Sequence, residues 1–185
     1  MKTGEKTFKD VVAFNDYPHP VITEKGAEVF IRPVRPDDVT LLRELFKSLS
    51  PESIYFRFFS PLKHISQQLL EQYTQIDTDC EIALTALDQS GKMLGIACVF
   101  ILEDRLQAEF SILVGDPWQG KGIGAELLLR CLILAKRKQV KAVWGRVLPR
   151  NTKMLVLADK LGFTKKQVPD ANEYELIIDL QSLHM

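Results

Sequence analysis

The chain predicts an α/β fold of the α+β type: a mixed, mostly antiparallel sheet of about six to seven strands flanked by helices. Three observations predict it. Residues 81–114 read as three strands joined by short polar turns, an antiparallel meander. A glycine-rich turn at 115–124 carries the third of these strands into a helix. Strand-like and helical segments then alternate toward the C-terminus.

Residues 1–25 are mixed and polar, with Tyr17-Pro18-His19-Pro20 among them, and read as an arm or linker before a single domain at 26–185. The first strand spans 28–34, and Pro33 and Pro36 break its ladder. Asp37 and Asp38 precede the periodic Val39, Leu42, Leu45, Phe46 and Leu49, which gives an amphipathic helix an acidic start. Ser50 caps a second helix, Pro51 suits its first position, and Pro61 ends it. That helix carries Tyr55, Phe56, Phe58 and Phe59 around Arg57. Ser66 caps a third helix.

The meander strands are 81–87, 93–102 and 106–114. The last alternates, with Ala108, Phe110, Ile112 and Val114 on one face and Gln107, Glu109, Ser111 and Leu113 on the other. A helix then runs to about Lys138, and a strand spans 140–148. A helix at 151–161 is closed by Gly162, and two strands follow at 163–168 and 173–180.

Composition excludes several classes. Lys and Arg number 24, as do Asp and Glu, so the formal net charge is zero and a dedicated nucleic-acid binder is disfavoured. Cys80, Cys98 and Cys131 show no paired spacing and read as small core residues of a reducing compartment. His19, His64 and His184 lie far apart, so no metal site is expected. The charged N-terminus lacks a signal-peptide core, and no apolar run approaches the ~18 residues of a membrane helix. Neither nucleic acid nor membrane is an expected partner, and the cytoplasm is the expected location.

The informative stretch is Gly115-Asp116-Pro117-Trp118-Gln119-Gly120-Lys121-Gly122-Ile123-Gly124. Glycines at 120, 122 and 124 remove side chains where a helix begins. Free backbone N–H groups there can converge on one anion, helped by the helix dipole. The plainer reading is a tight turn with no ligand, but so many glycines cost conformational entropy, which favours a phosphate ligand. A P-loop fits through Lys121, yet Gly122 stands where Ser or Thr should hold magnesium. A dinucleotide fingerprint fits Gly120, Gly122 and Ala125, yet the next strand ends Trp144-Gly145-Arg146-Val147 without the acid that would hold a ribose.

Gln119-x-x-Gly122-x-Gly124 resembles the acetyl-CoA motif of the GNAT acetyltransferases. Asn151, Leu157, Lys160, Leu161, Gly162 and Phe163 resemble that family's late segment. The resemblance runs from about residue 28 to 180 and implies a sheet splayed between its fourth and fifth strands. Arg32-Pro33-Val34-Arg35-Pro36-Asp37-Asp38, Leu49-Ser50-Pro51-Glu52-Ser53, Arg57-Phe58-Phe59 and Ala108-Glu109-Phe110 are similar to bacterial protein lysine acetyltransferases of the Pat type. Those enzymes often join this domain to an acyl-CoA-synthetase-like or nucleotide-sensing domain, and neither lies within these residues.

The resemblance implies acetyl-CoA as co-substrate and a protein lysine as acceptor, an acyl-CoA synthetase being one such partner. Freeing a lysine amine of pKa near ~10.4 at neutral pH costs about 4.6 kcal/mol, so a base is useful. Expelling a thiol of pKa near ~8.5 costs only about 2 kcal/mol, so an acid is less needed. Glu109 is the candidate base, through direct attack of the amine on the thioester; partial burial between Ala108 and Phe110 would tune it. Its plainer reading is an exposed strand glutamate.

The cofactor-binding candidates are Ile112, Leu113, Val114, Gln119, Gly120, Lys121, Gly122, Ile123, Gly124 and Asn151. Backbone N–H groups near Leu113 and Val114 would serve the oxyanion. Asn151 serves the pantetheine arm, a helix cap, or both. Lys121 and Arg150 suit phosphates or plain solvent exposure. Many GNAT enzymes have a tyrosine seven residues after the motif asparagine; Ala158 stands there, which leaves the acid unassigned. Two alternatives stay open: transfer to a small amine such as a polyamine, aminoglycoside or amino acid, and a non-catalytic acyl-CoA-binding regulatory module.

Overall fold

The computed structural model describes residues 18–182. Its centre is one eight-stranded sheet in the order β1-β2-β3-β4-β5-β6-β8-β7. The strands are β1 His19–Ile22, β2 Glu28–Pro33, β3 Glu81–Leu87, β4 Met93–Ile101, β5 Gln107–Val114, β6 Ala142–Val147, β7 Thr164–Gln167 and β8 Tyr174–Asp179. Helices α1 Val39–Lys47, α2 Pro51–Phe58 and α3 Gln67–Thr74 connect β2 to β3; α4 Ile123–Arg137 and α5 Thr152–Leu161 flank β6. Every strand pair is antiparallel except β5 with β6.

The meander stands as the alternation predicts. Ser50 and Ser66 cap α2 and α3, each accepting from the backbone N–H three residues on. Gly162 closes α5 at φ 86. The sheet separates two cores. On one face, Leu127, Leu128, Cys131 and Ala135 of α4 pack with Ala108, Phe110 and Val143. On the other, Leu42, Leu45 and Phe46 of α1 and Tyr73 of α3 pack with Ile96, Cys98 and Leu113. Period-2 alternation on β5 therefore feeds both cores at once.

Four details differ from the sequence reading. Residues 19–22, inside the stretch read as an arm, form the edge strand β1, with Val21 opposite Val29. Pro20 is tolerated there because an edge strand need not donate on its outer side. Asp38 is not simply an acidic helix start: it is 2% exposed and grips Arg32 through two bonds of 2.7 and 2.6 Å. α2 stops at Phe58 rather than running on toward Pro61, with Phe59 in the left-handed region at φ 54. Cys98 and Cys131 are core thiols, but Cys80 is half-buried and donates to Asp77.

Candidate active site

β5 and β6 pair in parallel only at Gln107↔Ala142, Ala108↔Val143 and Glu109↔Trp144. Beyond Glu109 the two strands part, and they are the fourth and fifth strands of the sequence reading, which lacked β1. The wedge stays open on one side because Phe110 turns its ring over Gly145. A Cβ at Gly145 would lie 2.6 Å from that ring, and Phe163 meets it edge-on at 5.2 Å. No other residue at 145 would let the two backbones diverge around that ring without movement.

Main-chain polarity follows from the ladder. Leu102 N–H bonds Gln107 O and Gly115 N–H bonds Leu94 O, so Gln107, Glu109, Ser111 and Leu113 direct their amides to β4. Phe110, Ile112 and Val114 direct theirs into the gap. Ile112 and Val114 thus stand where a ligand's amides can pair. Leu113 does not: its N–H is committed to β4 and its side chain is buried beneath the first three helices. The oxyanion donor expected near Leu113 is unavailable for that reason.

At the far end of the gap the glycine turn opens into α4. Gly120 and Gly122 take φ 73 and 83, a left-handed geometry that side chains resist. Among the described residues no acceptor meets the backbone N–H groups of Gly120, Lys121, Gly122, Ile123, Gly124 or Ala125. The first N–H to find one is that of Glu126, bonded to Gly122 O at 3.2 Å. A Cβ at Gly120 would meet nothing within 4 Å, so the turn is open at that point. Unsatisfied donors at a helix start form an anion cradle, and the cradle fits a pyrophosphate. Gly124 serves packing as well, since a Cβ there would sit 3.3 Å from Ile112 and 3.5 Å from Leu157.

Gln119 acts as a strap. Its amide nitrogen donates to Val114 O, Ser53 Oγ and Asp116 Oδ1 at 3.1–3.2 Å, and its oxygen accepts from Lys153 at 2.7 Å. The side chain fastens the turn to the end of β5 and to α2, rather than presenting itself to a ligand. Thr23 fastens the other side: its hydroxyl donates to Lys121 O at 2.6 Å, and its Cβ packs 3.1 Å from where a Gly122 Cβ would be. Sequence reasoning missed Thr23, because nothing local distinguishes a threonine lying 98 residues away from its acceptor.

Burial pushes the Asp116 carboxyl up, but hydrogen bonds from Ser53 and Ser50 outweigh it and hold it below the usual carboxylate range. Lys121 and Arg150 are exposed. Asn151 caps α5 through its oxygen, bonded by Met154 N–H at 3.2 Å, and its amide nitrogen has no partner among the described residues. Ala158 is 1% exposed and brings no hydroxyl to the site.

Glu109 is the last residue of β5 paired with β6, directly opposite Phe100 of β4. It is exposed, so the partial burial expected for it is not found. The reason is positional: α1 to α3 cover this face over Ser111 and Leu113 but not as far as Glu109. Phe100 in turn forms part of a groove of about 620 Å³ beside α2 and α3, lined also by Arg57, Tyr73, Glu71 and Glu81. Among the described residues no cluster of His, Cys, Asp and Glu could hold a metal ion, and no helix is long and apolar enough to cross a membrane.

Comparison with known proteins places the fold in a family. Residues 28–164 match the family described as the acetyltransferase (GNAT) domain. An acetyltransferase of Pseudomonas aeruginosa is 30% identical over 150 residues, covering 80% of this chain and 81% of that one. Acetyltransferase Pat of Mycolicibacterium smegmatis is 32% identical over 148 residues, covering 78% of this chain but 44% of its own length. The crystal structure of the GNAT domain of S. lividans PAT superposes with a TM-score of 0.82 at 25% identity, covering 87% of this chain and 96% of that domain. The chain belongs to the GNAT family and is an acetyltransferase that works with acetyl-CoA.

Proposed function

We propose that the chain transfers acetyl from acetyl-CoA to the side-chain amine of a protein lysine, with Glu109 as general base. The observation that carries this reading is the place of Glu109, at the point where β5 and β6 part and on the face that holds the groove. The turn from Gly120 to Ala125 supplies amides for the pyrophosphate. The edge of β5 at Ile112 and Val114, with the free amide of Asn151, aligns the pantetheine arm. The co-substrate supplies the activated acyl group. An amine entering along the groove meets the carboxylate on one side and the strand gap on the other. Exposure of Glu109 leaves room for a water to relay the proton. Val114 N–H, fixed by the strand, suits developing negative charge on the acyl oxygen. The protein-lysine acceptor rests on the Pat-type motifs and on the similarity to the Mycolicibacterium enzyme of that name.

Glu109→Gln tests the base. The substitution keeps size and hydrogen bonding but removes the proton acceptor, so kcat should fall about 10²- to 10⁴-fold. CoA affinity measured by calorimetry should not change. Unchanged turnover in thiol-release assays with a lysine-bearing protein would remove Glu109 from the mechanism. CoA binding without turnover on protein or small amines would instead favour a regulatory module.

A further inference from the structure

The groove that reaches Phe100, the ladder partner of Glu109, carries one cation that amine transfer does not need. Arg57 of α2 is half-buried, with its guanidinium 5.0 Å from the centroid of the Phe58 ring and 5.6 Å from that of Tyr73. It pairs with no acid among the described residues. Its Nε is enclosed and has no acceptor among the described residues. Tyr73, only 5% exposed, also leaves its hydroxyl without a partner among the described residues. Ser111 and Arg57 lie near that hydroxyl without closing a well-formed bond. The groove's own carboxylates do not answer these donors: Glu71 accepts from Gln67 at 2.8 Å and Glu81 from Asp77 N–H at 3.3 Å.

Buried donors without acceptors are costly, and native proteins rarely keep two side by side. A guanidinium held against aromatic rings keeps its planar fork preorganised for a two-pronged acceptor. Both groups line the groove that ends beside Phe100, the neighbour of Glu109. Resting on the transferase reading above, we propose that Arg57, through its terminal nitrogens, binds a carboxylate carried by the amine acceptor itself, with Tyr73 holding the guanidinium in place. That carboxylate is either an acidic side chain beside the target lysine of a protein or the α-carboxylate of a free amino acid. The groove would then read the acceptor at two places, with Arg57 taking the anion while the amine reaches Glu109.

Calorimetry on the full chain saturated with CoA tests this without requiring chemistry. The probes are a lysine peptide with glutamate beside the lysine, its glutamine twin, free lysine, and lysinamide. The wild type should bind the carboxylate member of one pair roughly tenfold or more tightly. Arg57→Gln should erase that difference, and Tyr73→Phe should reduce it, with CoA affinity unchanged in both. A preference within the peptide pair identifies a side-chain carboxylate; one within the lysine pair identifies an α-carboxylate. Equal binding within both pairs, or a preference that survives Arg57→Gln, would overturn the assignment. Acetylation of both twins without preference would leave the transferase reading intact and remove this one. A preference without acetyl transfer would do the reverse.

Discussion

Asp116 shows how one side chain ties the loop to the rest of the domain. Its carboxylate accepts from Gln119 at 3.2 Å and has its pKa lowered by Ser50 and Ser53 at the start of α2, so the helix and the glycine turn share an anchor. Because its folded pKa is depressed, the stability it adds is fully present above the unfolded value of about 3.9 and is lost as pH falls through the folded one. Asp116→Asn should therefore lower the melting temperature at neutral pH and flatten its decline below about pH 4. Thermal melts of both proteins from pH 7 to pH 3 check this; parallel curves would show that the carboxylate carries no such linkage. Arg32 and Asp38 make a second buried anchor, and losing either partner should cost about 3–5 kcal/mol, since the other charge would remain in the core.

At the scale of elements, the proposed site depends on the wedge between β5 and β6. Three residue pairs hold the strands together, and the ring of Phe110 over Gly145 keeps them apart thereafter. Gly145→Val should destabilise the fold by about 1–3 kcal/mol through overpacking. It should also weaken CoA binding, because the ring can yield only into the gap or by shifting β6. Denaturant midpoints and calorimetry measure the two effects. A valine accepted at full stability with unchanged CoA affinity would show that the divergence does not depend on this contact.

Across the whole molecule, the sheet divides labour between its faces. One face, under α4 and α5, carries the glycine turn; the other, under α1 to α3, carries the groove proposed for the acceptor; the gap in the sheet lies between them. Binding across such a gap should stabilise the entire domain. CoA at about 100 times its dissociation constant should add about 2.7 kcal/mol to unfolding. Hydrogen exchange should slow at the amides of residues 120–125, which have no acceptor of their own. Protection confined to other segments would place the pyrophosphate elsewhere.

The sequence by itself determined the element types, their caps, the meander and the glycine turn. These depend on neighbours a few residues apart: the alternation of Ala108, Phe110 and Ile112, Ser50 and Ser66 ahead of their helices, Gly162 after α5. Glu109, Gly120 and Gly122 could be singled out as candidates because a motif and its spacing are local facts. Only the tertiary structure decided which amides face the gap, and so separated Ile112 and Val114 from Leu113. It also left Glu109 exposed, turned Gln119 into a strap, and brought Thr23 and the edge strand β1 to the site. Those outcomes depend on ladder register and on contacts between distant segments, such as Thr23 with Lys121 or Phe110 with Gly145. A local pattern cannot encode which distant partner arrives, because long-range pairing is chosen by the packing of the whole chain.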